Sequence, residues 1–93
     1  MVGLKEQMII KFDKKAKKYI EACDKPTKDR IKNGIIGLTQ SPPVGDIKAL
    51  QSFSDGRMRL RIGKYRIIFR FINESTVVIL HVMDVNSRGD IYK

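Results

Sequence analysis

The sequence has few of the residues that secreted, membrane-spanning or metal-binding proteins need. Its single cysteine, Cys23, cannot form an internal disulfide, and no Cys/His spacing marks a metal site. No apolar run approaches the roughly 18 residues of a membrane span. Residues 1–7 lack a long apolar core and a cleavage-like site, so no signal peptide is read there. The Asn-Glu-Ser sequon at 73–75 means little without secretion. Together these absences point to a reducing cytoplasm. Neither GxGxxG nor GxxxxGK occurs, which argues against a nucleotide cofactor. The one histidine, His81, lies in the most apolar segment and reads as a hydrogen-bonded structural residue, with no Ser/His or Cys/His pair for a nucleophilic triad. Asp84 and Asp90 belong to no carboxylate cluster of the kind metal-dependent nucleases use. Cys23 reads as a small hydrophobe. Neither metal nor cofactor is expected.

Acidic residues are also scarce. The 93 residues carry 19 Lys and Arg against 10 Asp and Glu, a net charge of +9. A chain of this length forms one domain with one small core, burying about 60–65% of its unfolded surface. With 42% hydrophobic and 31% charged residues it is globular, not disordered. The excess charge attracts polyanions, phosphate backbones first, although Lys can also serve solubility alone.

No internal repeat or linker divides the chain. Residues 1–7 read as a polar N-terminal extension and 8–93 as the domain. Residues 8–12 form a short β-branched run, a first strand. Asp13 is placed to cap a helix reaching about residue 23, with Ala16, Tyr19, Ile20 and Cys23 on one face. Pro26 breaks that helix and suits the first turn of a second, which runs to about residue 38 with Ile31, Ile35 and Leu38 inward. Gly34 and Gly37 weaken it by about 1 kcal/mol each unless they permit close packing. Residues 40–46 are a Pro/Gly-rich connection, and 47–56 continue irregularly. From residue 57 the period becomes two, with a strand to 62, a turn at Gly63-Lys64, a strand over 65–72, a turn at Asn73-Glu74 and a third, interior strand over 76–85. The sum is an α+β domain of order β-α-α-β-β-β, a helical hairpin on one face of a small, mainly antiparallel sheet.

Between residues 56 and 70 stand Arg57, Arg59, Arg61, Lys64, Arg66 and Arg70, with no acid among them. Alternation puts Arg57, Arg59 and Arg61 on one strand face, and Arg66 and Arg70 share a face of the next strand. Guanidinium binds phosphate through two parallel hydrogen bonds and stacks on bases. Cations left unneutralised side by side repel, so the pattern points to an absent anionic partner. A solvated face whose Arg stems cover apolar surface is the plainer alternative.

The stretch Gly45-Asp46-Ile47-Lys48-Ala49-Leu50, the core Arg59-x-Arg61-x-Gly63-x-Tyr65-Arg66-Ile67-Ile68 and the ending Ser87-Arg88-Gly89-Asp90-Ile91-Tyr92-Lys93 resemble the RelE/ParE superfamily of bacterial and archaeal toxins. The resemblance covers residues 8–93. It implies a toxin of a type II toxin–antitoxin pair, in the RelE-like branch a ribosome-dependent mRNA interferase. Such an endoribonuclease cuts mRNA in the A site without a metal, using the RNA's own 2′-OH as nucleophile. By motif, Arg57 and Arg59 match paired basic residues near the scissile phosphate. Arg66 matches the arginine that stabilises phosphorane charge, Arg88 the one that helps protonate the leaving 5′-oxygen, and Tyr92 the tyrosine that stacks on a base. Lys48, Arg61, Lys64 and Arg70 complete the RNA- and phosphate-binding set.

The best-described relatives carry Lys where this chain has Arg57 and Arg59. Guanidinium stays protonated, so either another group accepts the 2′-OH proton, with Lys64 or Lys48 nearby, or proton transfer is only weakly assisted. Implied partners are a ribosome with its mRNA and a cognate antitoxin, acidic and encoded next door, with no membrane and with operator DNA bound only through the antitoxin. A ParE-like DNA gyrase inhibitor and a non-catalytic RNA or ribosome binder are the alternative functions.

Overall fold

A computed structural model describes residues 7–87; Arg88, Asp90 and Tyr92 lie outside the described residues. Among those described, the chain forms β1 (Gln7–Phe12), α1 (Lys14–Glu21), α2 (Lys25–Gly37), β2 (Asp46–Ala49), β3 (Met58–Ile62), β4 (Tyr65–Glu74) and β5 (Val77–Ser87). The strands make one sheet in the order β1-β5-β4-β3-β2. Only β1 and β5 pair in parallel; the other pairings are antiparallel.

The α+β order read from the sequence is the fold observed, with one strand added. β2 lies in the stretch expected to be irregular. Its four residues contain too little alternation to register as a strand, and pairing with β3 makes it one. Ile47 faces Leu60, while Asp46 and Lys48 stand opposite Arg61 and Arg59. The hairpin turns are two residues long. Gly63, with φ of 58°, supplies the left-handed first position between paired Ile62 and Tyr65. The next turn falls at Ser75-Thr76, not Asn73-Glu74, because β4 and β5 stay paired through Glu74 and Val77.

Both helices lie on one sheet face. Ala16, Ile20, Ile31, Ile35 and Leu38 are buried against Leu60, Ile67, Phe69, Leu80, Val82 and Val85, with Tyr19 and Cys23 half-buried at the margin. The helix faces read from the 3.6-residue period are therefore the packed ones. Asp24 caps α2, its carboxylate accepting from the Thr27 backbone N–H at 3.2 Å, with Pro26 in the first turn. Asp13 occupies the N-cap position of α1 but makes no side-chain cap. Its carboxylate instead meets His81 Nε2 at 2.7 Å. The glycines of α2 are there for close approach. A Cβ on Gly34 would collide with Ile62 Cδ1, and Gly37 receives the Val44 backbone, whose N–H donates to its carbonyl at 2.9 Å.

Candidate RNA-binding cleft

Alternation along the strands sends Arg59, Arg61, Arg66, Ile68, Arg70, His81 and Asn86 to the sheet face opposite the helices. Residues 50–57 fold up beside that face. They enclose a cleft of about 550 Å³. Its walls are Leu50 and Phe53 on one side and Asp13 and Lys15 on the other. Its floor is Arg57, Arg59, Arg66, Ile68, Met83, Asp84 and Asn86.

Three of the arginines singled out in the sequence thus come together, Arg57, Arg59 and Arg66. Arg61, Arg70, Lys48 and Lys64 do not line the cleft. Lys48 is exposed across the ladder from Arg59, and Lys64 sits at the hairpin tip with Nζ 5.5 Å from the Tyr65 ring centroid. Neither lysine is where a base for the cleft would have to be.

The expectation of an unneutralised patch needs correcting. Asp46 accepts from Arg59 at 3.3 Å and from Arg61 at 3.1 Å. Asp55 takes Arg57 through Nε at 3.3 Å and Nη2 at 2.8 Å, and Arg70 through Nη1 at 3.3 Å. Both acids lie just upstream of the acid-free stretch, and the β2–β3 ladder and the 50–57 loop swing them alongside it. They hold each guanidinium in place and leave it donors for a ligand. Arg57 also stacks 3.9 Å from the centroid of Phe53. The Arg59 side chain is only 13% exposed, and its Nε has no hydrogen-bond partner among the described residues. The like charges of Arg61 and Arg66, directly opposed across β3 and β4, are separated because Asp46 draws Arg61 toward β2.

Hydrogen bonds from Arg57 hold the Asp55 carboxyl below the usual carboxylate range, and the same contact raises Arg57. A depressed carboxylate stabilises the fold above its unfolded pKa of about 3.9, and that stabilisation is lost as pH falls through the lower folded value. Asp55→Asn is therefore expected to lower the melting temperature near neutrality. It should also make the loss of stability below about pH 4 shallower, as read by circular dichroism melts across the acid range.

Two features escaped the sequence reading. Phe53 and Asp55 fall in the stretch that reads as irregular, although an aromatic and an acid just before an Arg run are a usable local signal. Asp84 was set aside for want of a metal cluster. It reaches the cleft only through a β-bulge: Ile68 pairs with Asp84 but Phe69 with Val82, leaving Met83 as an extra residue. That insertion turns Asp84 outward and returns Val85 to the core, where it is 2% exposed. His81 is held between Asp13 and Arg70, whose Nε lies 3.4 Å from Nδ1.

Comparison with known proteins bears on this arrangement. The family model described as the ParE toxin of type II toxin–antitoxin systems, parDE, matches residues 10–88. Among solved structures the chain is similar to the RelB–RelE antitoxin–toxin complex of Methanococcus jannaschii, at 25% identity over 88% of this chain and 94% of that one, with a TM-score of 0.65. The fold is shared with the archaeal RelE–RelB complex of Pyrococcus horikoshii OT3, at 21% identity, 89% and 97% coverage and a TM-score of 0.66. It is shared too with a toxin–antitoxin complex of Mycobacterium tuberculosis, at 21% identity, 86% and 96% coverage and a TM-score of 0.63. No curated protein matches the sequence.

Proposed function

The chain belongs to the ParE toxin family of type II toxin–antitoxin systems, and from that premise we propose that it is a ribosome-dependent endoribonuclease that cuts mRNA in the A site. The observation that carries this reading is the convergence of Arg57, Arg59 and Arg66 on one cleft with an aromatic wall. In the reaction the 2′-oxygen attacks the adjacent phosphorus. The O2′–P bond forms, the P–O5′ bond breaks, and a 2′,3′-cyclic phosphate and a 5′-OH remain.

Negative charge builds on the non-bridging oxygens in the transition state. Guanidinium groups already held by Asp46 and Asp55 stabilise it without reorganising at the moment of reaction. Phe53, flanked by Arg57, offers a face on which a splayed base stacks. In this reading Arg88 helps protonate the leaving 5′-oxygen and Tyr92 orients a base. Arg61, Arg70, Lys48 and Lys64 attract the RNA from outside the cleft. The cognate antitoxin is acidic and inhibits by covering the Arg face or by displacing the Tyr92 segment.

The ParE label of the family model favours a second reading, inhibition of DNA gyrase. Purified protein tested on programmed ribosomes by primer extension, and on gyrase in a supercoiling assay, separates the two. A cut within the A-site codon, bearing a cyclic phosphate and with gyrase unaffected, is the expected result. Gyrase inhibition with intact mRNA moves the assignment to the second reading. Salt-sensitive ribosome binding with no cut at any concentration makes the chain a non-catalytic binder.

A further inference from the structure

The open chemical question in the cleft is which group takes the proton from the 2′-OH, because guanidinium is a poor general base. Among the described residues two carboxylates line it, Asp13 and Asp84. Asp13 Oδ1 is engaged at 2.7 Å by His81 Nε2. Asp84 differs. Both of its contacts, Asn86 Nδ2 at 3.1 Å and Lys15 Nζ at 3.5 Å, fall on Oδ2, so among the described residues Oδ1 accepts no hydrogen bond.

Its setting is that of a working group more than of a counter-ion. Arg57 and Arg59 obtain their counter-charge from Asp55 and Asp46, and Asp84 forms no ion pair with either, its ion-pair partner being the exposed Lys15 at 3.5 Å. Its side chain is 30% exposed, so solvent and substrate reach it. The bulge at Met83 is what delivers it. Unbroken alternation through Met83 would put Asp84 in the core and Val85 on the open face; the bulge accommodates Met83 as an extra residue and keeps Asp84 opposite Ile68. One step further along the ladder, Asn86 stands opposite Arg66. A phosphate held by Arg66 therefore has a carboxylate beside it on the next strand.

We propose that Asp84 is the general base of the cleavage reaction, an assignment that rests on the endoribonuclease reading above. Asp84 Oδ1 takes the 2′-OH proton as the O2′–P bond forms. The P–O5′ bond breaks and the leaving oxygen is protonated by the acid on its own side. Asp84 then releases its proton to water. Asn86 and Lys15 hold Oδ2 and so aim Oδ1 into the cleft.

Single-turnover cleavage of mRNA on programmed ribosomes tests this. Asp84→Asn keeps the shape and the Asn86 neighbour but cannot accept the proton, and should cut about 10²–10⁴-fold more slowly with unchanged ribosome binding and melting temperature. Asp84→His installs a base that titrates in the range where ribosomes survive. It should recover part of the rate and show a new acid limb, with the rate falling about tenfold per pH unit below about 6.5. A merely structural role predicts neither the recovery nor the limb. Wild-type cutting alongside Asp84→Asn at the wild-type rate overturns the assignment of Asp84 alone. So does an Asp84→His variant that shows no acid limb. A wild-type chain that leaves the mRNA intact overturns the endoribonuclease reading and this assignment with it.

Discussion

Replacing Arg66 with alanine is expected to slow RNA cleavage by about 10²–10³-fold, the usual cost of removing one preorganised donor from a developing oxyanion. Arg66 stands one residue past the Gly63-Lys64 turn, after Tyr65, and is the second residue of β4, the middle strand of the sheet. Pairing on both sides, with Arg61 on β3 and Asn86 on β5, fixes its backbone, so its head enters the cleft from a rigid base. Arg57 and Arg59 remain in the variant and keep most of the phosphate affinity. The loss should therefore appear in the rate at saturating ribosomes, with little change in the concentration needed for half-maximal rate. Arg66→Lys restores charge but not the planar fork and should recover only part of the activity. Cleavage by Arg66→Ala at the wild-type rate would mean that the cleft is not the seat of the reaction.

The largest effect on stability is expected at Phe69. Its ring is fully buried and meets Phe71 edge to face, with centroids 5.6 Å apart and planes at 82°. Phe69→Ala removes the largest fully buried side chain among the described residues and leaves a cavity under the helices. The cost is about 3–5 kcal/mol. A domain of this size has about 5–14 kcal/mol in all, so from about a fifth of its stability to nearly all of it goes. Urea denaturation should show the midpoint falling in proportion while the slope is retained. Phe53→Ala is the contrast. That ring is 45% exposed, and its loss should leave the midpoint nearly unchanged while weakening RNA cleavage. A Phe69→Ala midpoint close to wild type would place the core elsewhere.

Most of the architecture was legible because it depends on neighbours in the chain. The 3.6-residue spacing of Ala16 and Ile20, and of Ile31, Ile35 and Leu38, marked the two helices and the faces they bury. Pro26 after Asp24 marked the break between them. The alternation of Arg59 and Arg61 with Leu60 and Ile62, followed by Gly63, marked a hairpin with one apolar and one cationic face. Each of these is a property of a few consecutive residues under one backbone geometry. The resemblance to the toxin superfamily rested on the same stretch, and the family match over residues 10–88 bears it out.

What failed depended on residues meeting across strands. β2 carries no strand pattern of its own and exists through its ladder with β3. Asp13 reads as a cap, yet the parallel β1–β5 pairing brings His81 within its reach.

The sequence by itself determined a basic α+β domain and the strand face on which its arginines stand, because periodicity and composition are local. The tertiary structure decided what that charge is for. The β2–β3 register and the 50–57 loop brought Asp46 and Asp55 against the arginines and turned a repelling patch into held, directed donors, and a bulge at Met83 kept Asp84 on the cleft face. Register and bulges are set by pairing energy summed over whole strands, and no short window of the chain contains that sum.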